Sequence, residues 1–215
     1  MLVRGRMSQP VITVEPSRRI MDAMATMKQN KIRRMPVMEN GKLVGIVSDK
    51  DLLDAGPSDA TSLSVWEINY LLSKLRVEEV MTKKVLTVQE NTPIEEAARI
   101  MVDNKIGGLP VMKGAELVGL ITETDLFKIF QELMGARDPG VRVTALVPDI
   151  QGELARLTQI IAEAGGSFIA FGMFDGEEPA NKLVTFKVTG LSEEEVEAQI
   201  APVIERLVDL RTCCA

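Results

Sequence analysis

The sequence predicts a mixed α/β protein in which two copies of one small unit precede a third unit of different pattern. The first observation is an internal repeat, because residues 45–51 recur as residues 119–125, and matches continue upstream at the same offset. Repetition at a fixed offset indicates two copies of one structural unit. The second observation is a change of pattern after residue 140, where strand and helix periods follow in the order strand, helix, strand, strand, helix, strand.

The composition is that of an ordinary globular protein. The 215 residues are 46% hydrophobic and 26% charged, with a net charge of −6. No apolar run approaches the roughly 20 residues of a membrane span, and residues 1–10 lack the apolar core of a secretory signal. We therefore expect a cytoplasmic protein without a membrane partner.

The chain contains no histidine, which excludes Ser-His and Cys-His nucleophiles and histidine-ligated zinc. The only cysteines, Cys213 and Cys214, are adjacent and give neither a disulfide framework nor metal-ligand spacing. A carboxylate pair such as Asp49 and Asp51 is the remaining catalytic candidate, but nothing else converges on it. We expect no catalytic residues and no metal site.

The first copy, residues 1–56, is predicted as strand, helix, strand, strand, helix. The β-branched residues 11–14 predict the first strand, and apolar residues at helical spacing from residue 20 predict a helix that stops at Asn30. Residues 35–38 and 43–47 predict a hairpin around Asn40-Gly41. A second helix is predicted from residue 49.

The second copy, residues 77–135, predicts the same order. Residues 85–88 predict a strand, and Thr92 to Glu95 predict a capping box with Pro93 at the first helical position. Strands are predicted at 109–112 and 117–121, and a closing helix at 125–134. The connecting segment, residues 57–76, is predicted as a loop at 55–62 and a helix at 63–75 that carries the only Trp and Tyr, as a core filler or a dimer contact.

Residues 136–140 predict a linker, and residues 141–215 predict a separate unit. Its strands are expected at 141–147, 168–174, 183–188 and 208–212, and its helices at 153–164 and 192–207. This βαββαβ order is the split arrangement of ferredoxin-like domains.

The repeated motif has a chemistry of its own. A strand that ends at Ser48 and enters a helix near Asp51 places a hydroxyl and backbone N–H groups where a phosphate can bind. A carboxylate one turn further on can accept two hydrogen bonds from a ribose diol. The alternative is that Ser48 and Asp51 only cap the helix.

The two copies resemble a tandem pair of cystathionine-β-synthase-type (CBS) domains, a Bateman module. The matching features are Met7-Ser8 and Met81-Thr82, an Ile-x-x-x-Pro-Val strand, and a Gly-x-x-Ser/Thr-x-x-Asp ending, each present twice. The resemblance implies paired sheets with two clefts that take AMP, ADP, ATP or S-adenosylmethionine as a regulatory ligand. The residues it assigns to nucleotide binding are Thr13, Arg33, Arg34, Ser48, Lys50, Asp51, Thr87, Thr122 and Asp125.

The copies differ shortly before the proline of the repeated strand, where the first has Arg33-Arg34 and the second has Gly107-Gly108. Guanidinium groups can hold phosphate with forked hydrogen bonds, whereas glycines offer only backbone and space. We therefore expect the main phosphate-bearing site at Ser48 and Asp51, and a weaker or less anionic site in the second copy. The alternative is that the two arginines are solvated or ion-paired.

Residues 141–215 resemble an ACT domain. Residues 149–154 are similar to its Asp-x-Pro-Gly-x-Leu turn, with Gln151 in place of the proline. The resemblance implies either an amino-acid site or a surface used only for pairing. The residues it assigns to an amino acid are Asp149, Gln151, Gly152, Glu153 and Leu154.

The order of CBS pair, connecting helix and ACT domain resembles the AcuB-type acetoin-utilisation family of bacterial proteins. This resemblance implies a protein that regulates another protein. We expect a homodimeric sensor in which an adenine nucleotide alters the activity of a partner. The alternative is a constitutive dimerisation scaffold with empty clefts. A pI of about 5.0 and the lack of interleaved basic and aromatic residues argue against nucleic acid as a partner.

Overall fold

The computed structural model describes residues 1–55 and 64–213, which fall into two compact units divided between Leu126 and Phe127. The predicted loop at 55–62 lies almost entirely outside the described residues, as does Cys214. Within the described ranges, no helix is long and apolar enough to cross a membrane.

The first repeat contains α1 (Ile20–Asn30), β1 (Arg34–Glu39), β2 (Lys42–Ser48) and α2 (Asp49–Asp54). The predicted hairpin is confirmed, with Asn40 and Gly41 at positive φ in its turn. The predicted strand at 11–14 is wrong, because only Val14 forms a bridge, to Val37. Its N–H donates to the Pro36 carbonyl, and Pro10 and Pro16 bracket a segment that makes no further ladder.

The segment between the repeats forms α3 (Val65–Lys74) and α4 (Val77–Val80). A capping box between Ser64 and Glu67 begins α3. Leu72 and Leu75 of the predicted helix pack against the core of the first repeat, so the helix fills the core in part. Trp66 is 86% exposed and takes no part in this packing, and the dimer contact stays a prediction.

The second repeat contains β3 (Val88–Gln89), α5 (Ile94–Asn104), β4 (Gly108–Lys113), β5 (Glu116–Thr122) and α6 (Glu123–Leu133). Only the end of the predicted strand at 85–88 forms, as a two-residue parallel pair with β4. The predicted capping box is wrong, because Pro93 is the N-cap and has no capping side chain. The Thr92 hydroxyl instead accepts the Gln89 N–H at 3.1 Å and closes a turn before the helix.

The two repeats pair reciprocally through the start of each copy. Backbone hydrogen bonds join Ser8 of the first copy to Leu120 of the second, and Thr82 of the second copy to Ile46 of the first. The glycine of each strand motif lies at these crossings, since a Cβ on Gly45 would come within 2.5 Å of the Met81 sulfur. The Met-Ser/Thr start of one copy and the glycine of the other are therefore parts of the same contact.

The C-terminal unit has the predicted βαββαβ order. It contains β6 (Gly140–Pro148), α7 (Glu153–Glu163), β7 (Ser167–Asp175), β8 (Asn181–Thr189), α8 (Glu193–Ile200) and β9 (Arg206–Cys213). The sheet order is β7-β8-β6-β9, with every neighbouring pair antiparallel. The predicted helix at 192–207 is too long, because it ends at Ile200 before Pro202, which cannot continue it.

Candidate functional site

A cleft of about 380 Å³ lies where the two repeats meet. The first repeat contributes Arg34, Ile46, Ser48 and Asp51 to its lining. The second repeat contributes Thr82, Lys84, Val85, Leu86 and residues 104–108. The volume falls within the roughly 300–1,000 Å³ typical of small-molecule sites.

Ser48 and Asp51 form one hydrogen-bonded unit on this cleft. β2 ends at Ser48, which is the N-cap of α2, and the Asp51 N–H donates to its hydroxyl at 3.2 Å. The hydroxyl and the N–H of Ser48 donate to Asp51 Oδ2 at 2.7 and 2.8 Å. The capping role considered from the sequence is therefore present. Within the described chain, Asp51 Oδ1 accepts no hydrogen bond and remains available to a ligand donor.

Arg34 reaches from the first repeat to the glycine pair of the second. A Cβ on Gly107 would overlap the Arg34 guanidinium, and it would come within 2.6 Å of Glu123 Oε2. A Cβ on Gly108 would lie 3.3 Å from Arg34 Cδ. The arginine of one copy thus occupies the space that the glycines of the other copy leave.

The cleft lining carries three cations and a single carboxylate. The cations are Arg34, Lys84 and Lys105, and the carboxylate is Asp51. Lys105 has φ 54° and is the C-cap of α5, which fixes its backbone at the edge of the cleft. This charge balance favours an anionic ligand.

Lys84 and Lys105 were not predicted as site residues, because they belong to the second copy, whose net charge is acidic. The signal that points to Lys84 is the Met81-Thr82 start, since this segment pairs with β2 of the other repeat and brings Lys84 next to the Ser48 motif. Sequence comparison within one copy cannot find such a residue.

Four other predicted residues lie outside the lining of this cleft. Thr13 lines a separate cavity of about 690 Å³, and Lys50 and Thr87 are exposed. Arg33 donates to Thr124 Oγ1 at 3.4 Å, which is long for a hydrogen bond. Their roles in ligand binding stay predictions.

The second copy of the motif has the same local geometry. The N–H and the hydroxyl of Thr122 donate to Asp125 Oδ2 at 3.0 and 2.7 Å. Asp125 is only 7% exposed, so it is less accessible to a ligand than the half-buried Asp51.

In the C-terminal unit, four of the predicted turn residues line a small cavity of about 140 Å³. They are Asp149, Gly152, Glu153 and Leu154, whereas Gln151 is exposed and outside it. Lys182, also in the lining, lies 2.9 Å from Asp175 Oδ1 and 3.6 Å from Asp149 Oδ2. The hydrogen bond and the charge of Asp175, followed by the charge of Asp149, raise the pKa of Lys182.

No cluster of three or more His, Cys, Asp or Glu side chains suited to a metal ion occurs in residues 1–55 or 64–213.

Comparison with solved structures gives similar folds for the repeat pair. The CBS domain pair of protein MJ0100, in complex with 5′-methylthioadenosine and S-adenosyl-L-methionine, is 30% identical with a TM-score of 0.51. The similarity covers 60% of this chain and 95% of that one. A putative acetoin utilization protein (AcuB) from Vibrio cholerae is 33% identical with a TM-score of 0.51, covering 60% and 90%. The AcuB protein is therefore a structural neighbour of the repeat pair, and the predicted resemblance of the whole order, including the ACT domain, stays a prediction.

Comparison of the sequence with those of known proteins also finds CBS domain relatives. The uncharacterized protein MJ1225 of Methanocaldococcus jannaschii is 35% identical over 131 residues, which are 57% of this chain and 45% of that protein. The chain therefore spans less than half the length of this relative. The CBS domain model matches residues 3–58 and 77–132, just over half of the chain. This chain belongs to the CBS domain family.

Proposed function

We propose that the protein is a regulatory protein that binds an adenine nucleotide in the cleft of Arg34, Ser48 and Asp51. CBS domain proteins are generally regulatory rather than catalytic. The adenosyl ligands named for the MJ0100 domain pair support an adenosine-bearing ligand here. The single observation that carries the proposal is the convergence of three cations, one carboxylate with an available oxygen, and apolar side chains in one cleft.

Each part of such a ligand has a matching group. Asp51 Oδ1 accepts a ribose hydroxyl, and Arg34, Lys84 and Lys105 face the phosphate groups. Ile46, Val85 and Leu86 offer apolar surface to the adenine. Because the three cations repel a sulfonium, AMP, ADP and ATP fit this cleft better than S-adenosylmethionine.

For the second motif we propose weaker or less anionic binding. The side chain of Arg34 occupies the space beside Gly107, and the second copy has no arginine pair of its own.

The C-terminal unit is proposed to be an ACT-type regulatory module that binds an amino acid at residues 149–154. Its sheet order and the cavity beside the turn support this assignment. The protein acts as a cytoplasmic homodimer, in which ligand binding changes the conformation presented to a partner protein. Such coupling requires different ligand affinities in two conformations.

The second candidate is a constitutive dimerisation scaffold. The exposed Trp66 supports self-association, which both candidates share. Hydrogen exchange over residues 33–51 separates the two functions. A nucleotide that slows or speeds exchange there supports the sensor, whereas binding without any change supports the scaffold.

The test is calorimetric titration of nucleotide-free protein with AMP, ADP, ATP and S-adenosylmethionine. We expect Lys84→Ala to weaken binding of ATP about tenfold, in the range of one charge-assisted hydrogen bond. Lys83→Ala is the matched control, because Lys83 is adjacent and exposed but does not line the cleft.

Asp51→Ala should abolish binding, while Asp125→Ala should leave the main site intact. Because Asp51 also caps α2, circular dichroism must show that the variant is folded. Failure of all four ligands to bind would contradict the sensor function.

A further inference from the structure

The C-terminal unit contains a buried carboxylate oxygen without a hydrogen-bond partner. Glu153 is only 6% exposed, and its Oε1 is the one buried side-chain oxygen or nitrogen in the described part of the chain that has no partner. Buried polar atoms are nearly always hydrogen-bonded, so an exception indicates a functional or structural requirement. An ionised carboxylate can only accept, and what this atom lacks is therefore a donor.

The surroundings of Glu153 define a small pocket with apolar walls. Glu153 lines the cavity of about 140 Å³ together with Val147, Leu157, Met173 and Val184. The volume is well below the roughly 300 Å³ at which drug-sized ligand sites begin. It corresponds to about five water molecules at ~30 Å³ each. Only a small molecule with a short apolar part fits this space.

The nearby cation does not satisfy Glu153. Lys182 lines the same cavity, but its ammonium group hydrogen-bonds to Asp175 and lies 3.6 Å from Asp149. Carboxylates outnumber cations around the pocket, since Asp149, Glu153 and Asp175 are acidic and Lys182 is basic. The local charge favours a ligand that brings a positive group.

The pocket also contains donors for a negative group. The eleven-residue helix α7 begins at Glu153, after Gly152 at φ 91°, and no side chain caps it. The N–H of Glu153 donates to the Ile150 carbonyl at 3.3 Å, whereas the N–H groups of Leu154 and Ala155 have no partner inside the helix and attract an anion. An acceptor and a set of donors therefore lie at the same helix end.

We propose that Glu153 is the specificity-determining residue of this site, and that its carboxylate receives the ammonium group of a small aliphatic amino acid. The inference deepens the proposed amino-acid site at residues 149–154 and rests on it. The N–H groups at the start of α7 hold the carboxylate of the ligand, and the apolar walls hold a side chain between alanine and valine in size. The site consequently rejects a 2-hydroxy acid of the same shape, which has no ammonium group to offer Glu153.

The experiment is a calorimetric titration of the full chain with L-alanine and L-valine, and with their hydroxy analogues L-lactate and L-2-hydroxyisovalerate. We expect each amino acid to bind at least about tenfold more tightly than its hydroxy analogue, since a site that hydrogen-bonds an NH group rejects the analogue without it. In Glu153→Gln, which keeps the shape and removes the charge, amino-acid affinity should fall at least tenfold. Glu163→Gln, on the exposed end of the same helix, should not change it.

The alternative is that Glu153 serves only the fold, because an acidic residue in the first turn stabilises a helix. Equal affinity for amino and hydroxy acids in the wild type would overturn the inference while leaving the turn as a small-ligand site. This comparison needs no variant, so it holds even where Glu153→Gln fails to fold. Unchanged amino-acid binding in Glu153→Gln would also overturn it. If neither class of acid binds, the proposed amino-acid site fails as well, and the nucleotide titrations remain a separate test.

Discussion

Arg34 of the first repeat fills the space left by Gly107 of the second. A Cβ at Gly107 would overlap the guanidinium and approach Glu123 Oε2 to 2.6 Å. The first copy has Arg33-Arg34 where the second has Gly107-Gly108. This difference does not describe two independent sites, because Arg34 and Gly107 meet at one contact. The bulk of Arg34 and the lack of bulk at Gly107 are complementary parts of one interface, beside the cleft that contains Ser48 and Asp51.

Gly107→Ala should therefore change ligand binding more than stability. The atoms that the new methyl group meets are the ends of the flexible Arg34 and Glu123 side chains, so we expect a loss of about 1 kcal/mol in the free energy of unfolding. Displacement of the guanidinium should lower ATP affinity at least about tenfold, because it removes a charge-assisted hydrogen bond to the phosphate. Urea unfolding and calorimetry measure the two effects. Gly5→Ala is the control, because nothing lies within 4 Å of its Cβ.

Arg34→Ala should lower ATP affinity by about ten- to hundredfold, the range of a charge-assisted hydrogen bond. Arg33→Ala should have a smaller effect, because Arg33 points to Thr124 and does not line the cleft. Arg34→Lys should restore only part of the affinity, since an ammonium group cannot make forked hydrogen bonds. Equal losses in the Arg33 and Arg34 variants, measured by calorimetry, would contradict this assignment.

Gly119→Ala should destabilise the repeat pair by about 1–3 kcal/mol, as expected for overpacking. Its Cβ would overlap the Met7 sulfur, which lies over the glycine. Met7→Ala in the same chain should recover part of the loss, because it removes the clashing atoms. A double-mutant cycle in urea gives the coupling energy. If the effects of Gly119→Ala and Met7→Ala on the free energy of unfolding are additive, the contact between Gly119 and Met7 does not cause the destabilisation.

The stability of the C-terminal unit should depend on pH through Asp209. Hydrogen bonding to Arg211, followed by the charges of Arg211 and Arg142, lowers the pKa of Asp209 below its ordinary value. A lowered pKa in the folded state means that the stabilisation is present above the unfolded-state pKa of about 3.9 and is lost as the pH falls through the folded-state value. The difference in Tm between wild type and Asp209→Asn should therefore be present at pH 7 and shrink towards pH 3.

The control for this pH dependence is Glu178→Gln. Glu178 lies in the exposed turn before β8 and forms no ion pair within the described residues. A Tm difference of the same size at both pH values in the Asp209 variant would contradict the prediction.

Trp66→Ala should weaken self-association. Trp66 is 86% exposed, and large exposed aromatic residues are enriched among the residues that dominate interface energies. We expect the dimer dissociation constant to rise at least about tenfold in sedimentation equilibrium. The control is Val102→Ala. Val102 is an exposed apolar residue on a different helix, α5, and its substitution should leave the dimer dissociation constant unchanged. A wild-type monomer would rule out this contact.

Local signals in the sequence predicted most of the elements correctly. Asn40-Gly41 gave the hairpin of the first repeat, and the β-hairpin of the second copy followed from the repeat. Capping of α2 by Ser48 and Asp51 could be considered from the sequence, as the alternative to ligand binding, because both residues act within one helical turn. The signals failed where a non-local contact or a nearby proline decided the outcome, as in the single bridge of Val14 and the early end of α8.

The sequence by itself determined the repeat, the order of elements and the chemistry of the Gly-x-x-Ser/Thr-x-x-Asp motif, because these depend on residues close together in the chain. Only the tertiary structure decided which residues share a site. It joined Lys84 and Lys105 of the acidic copy to Asp51 of the basic one, and it placed Arg34 over Gly107. It also buried Glu153 without a partner. The physical reason is that charge, space and hydrogen-bond partners across an interface come from residues far apart in sequence, and no pattern within one segment records them.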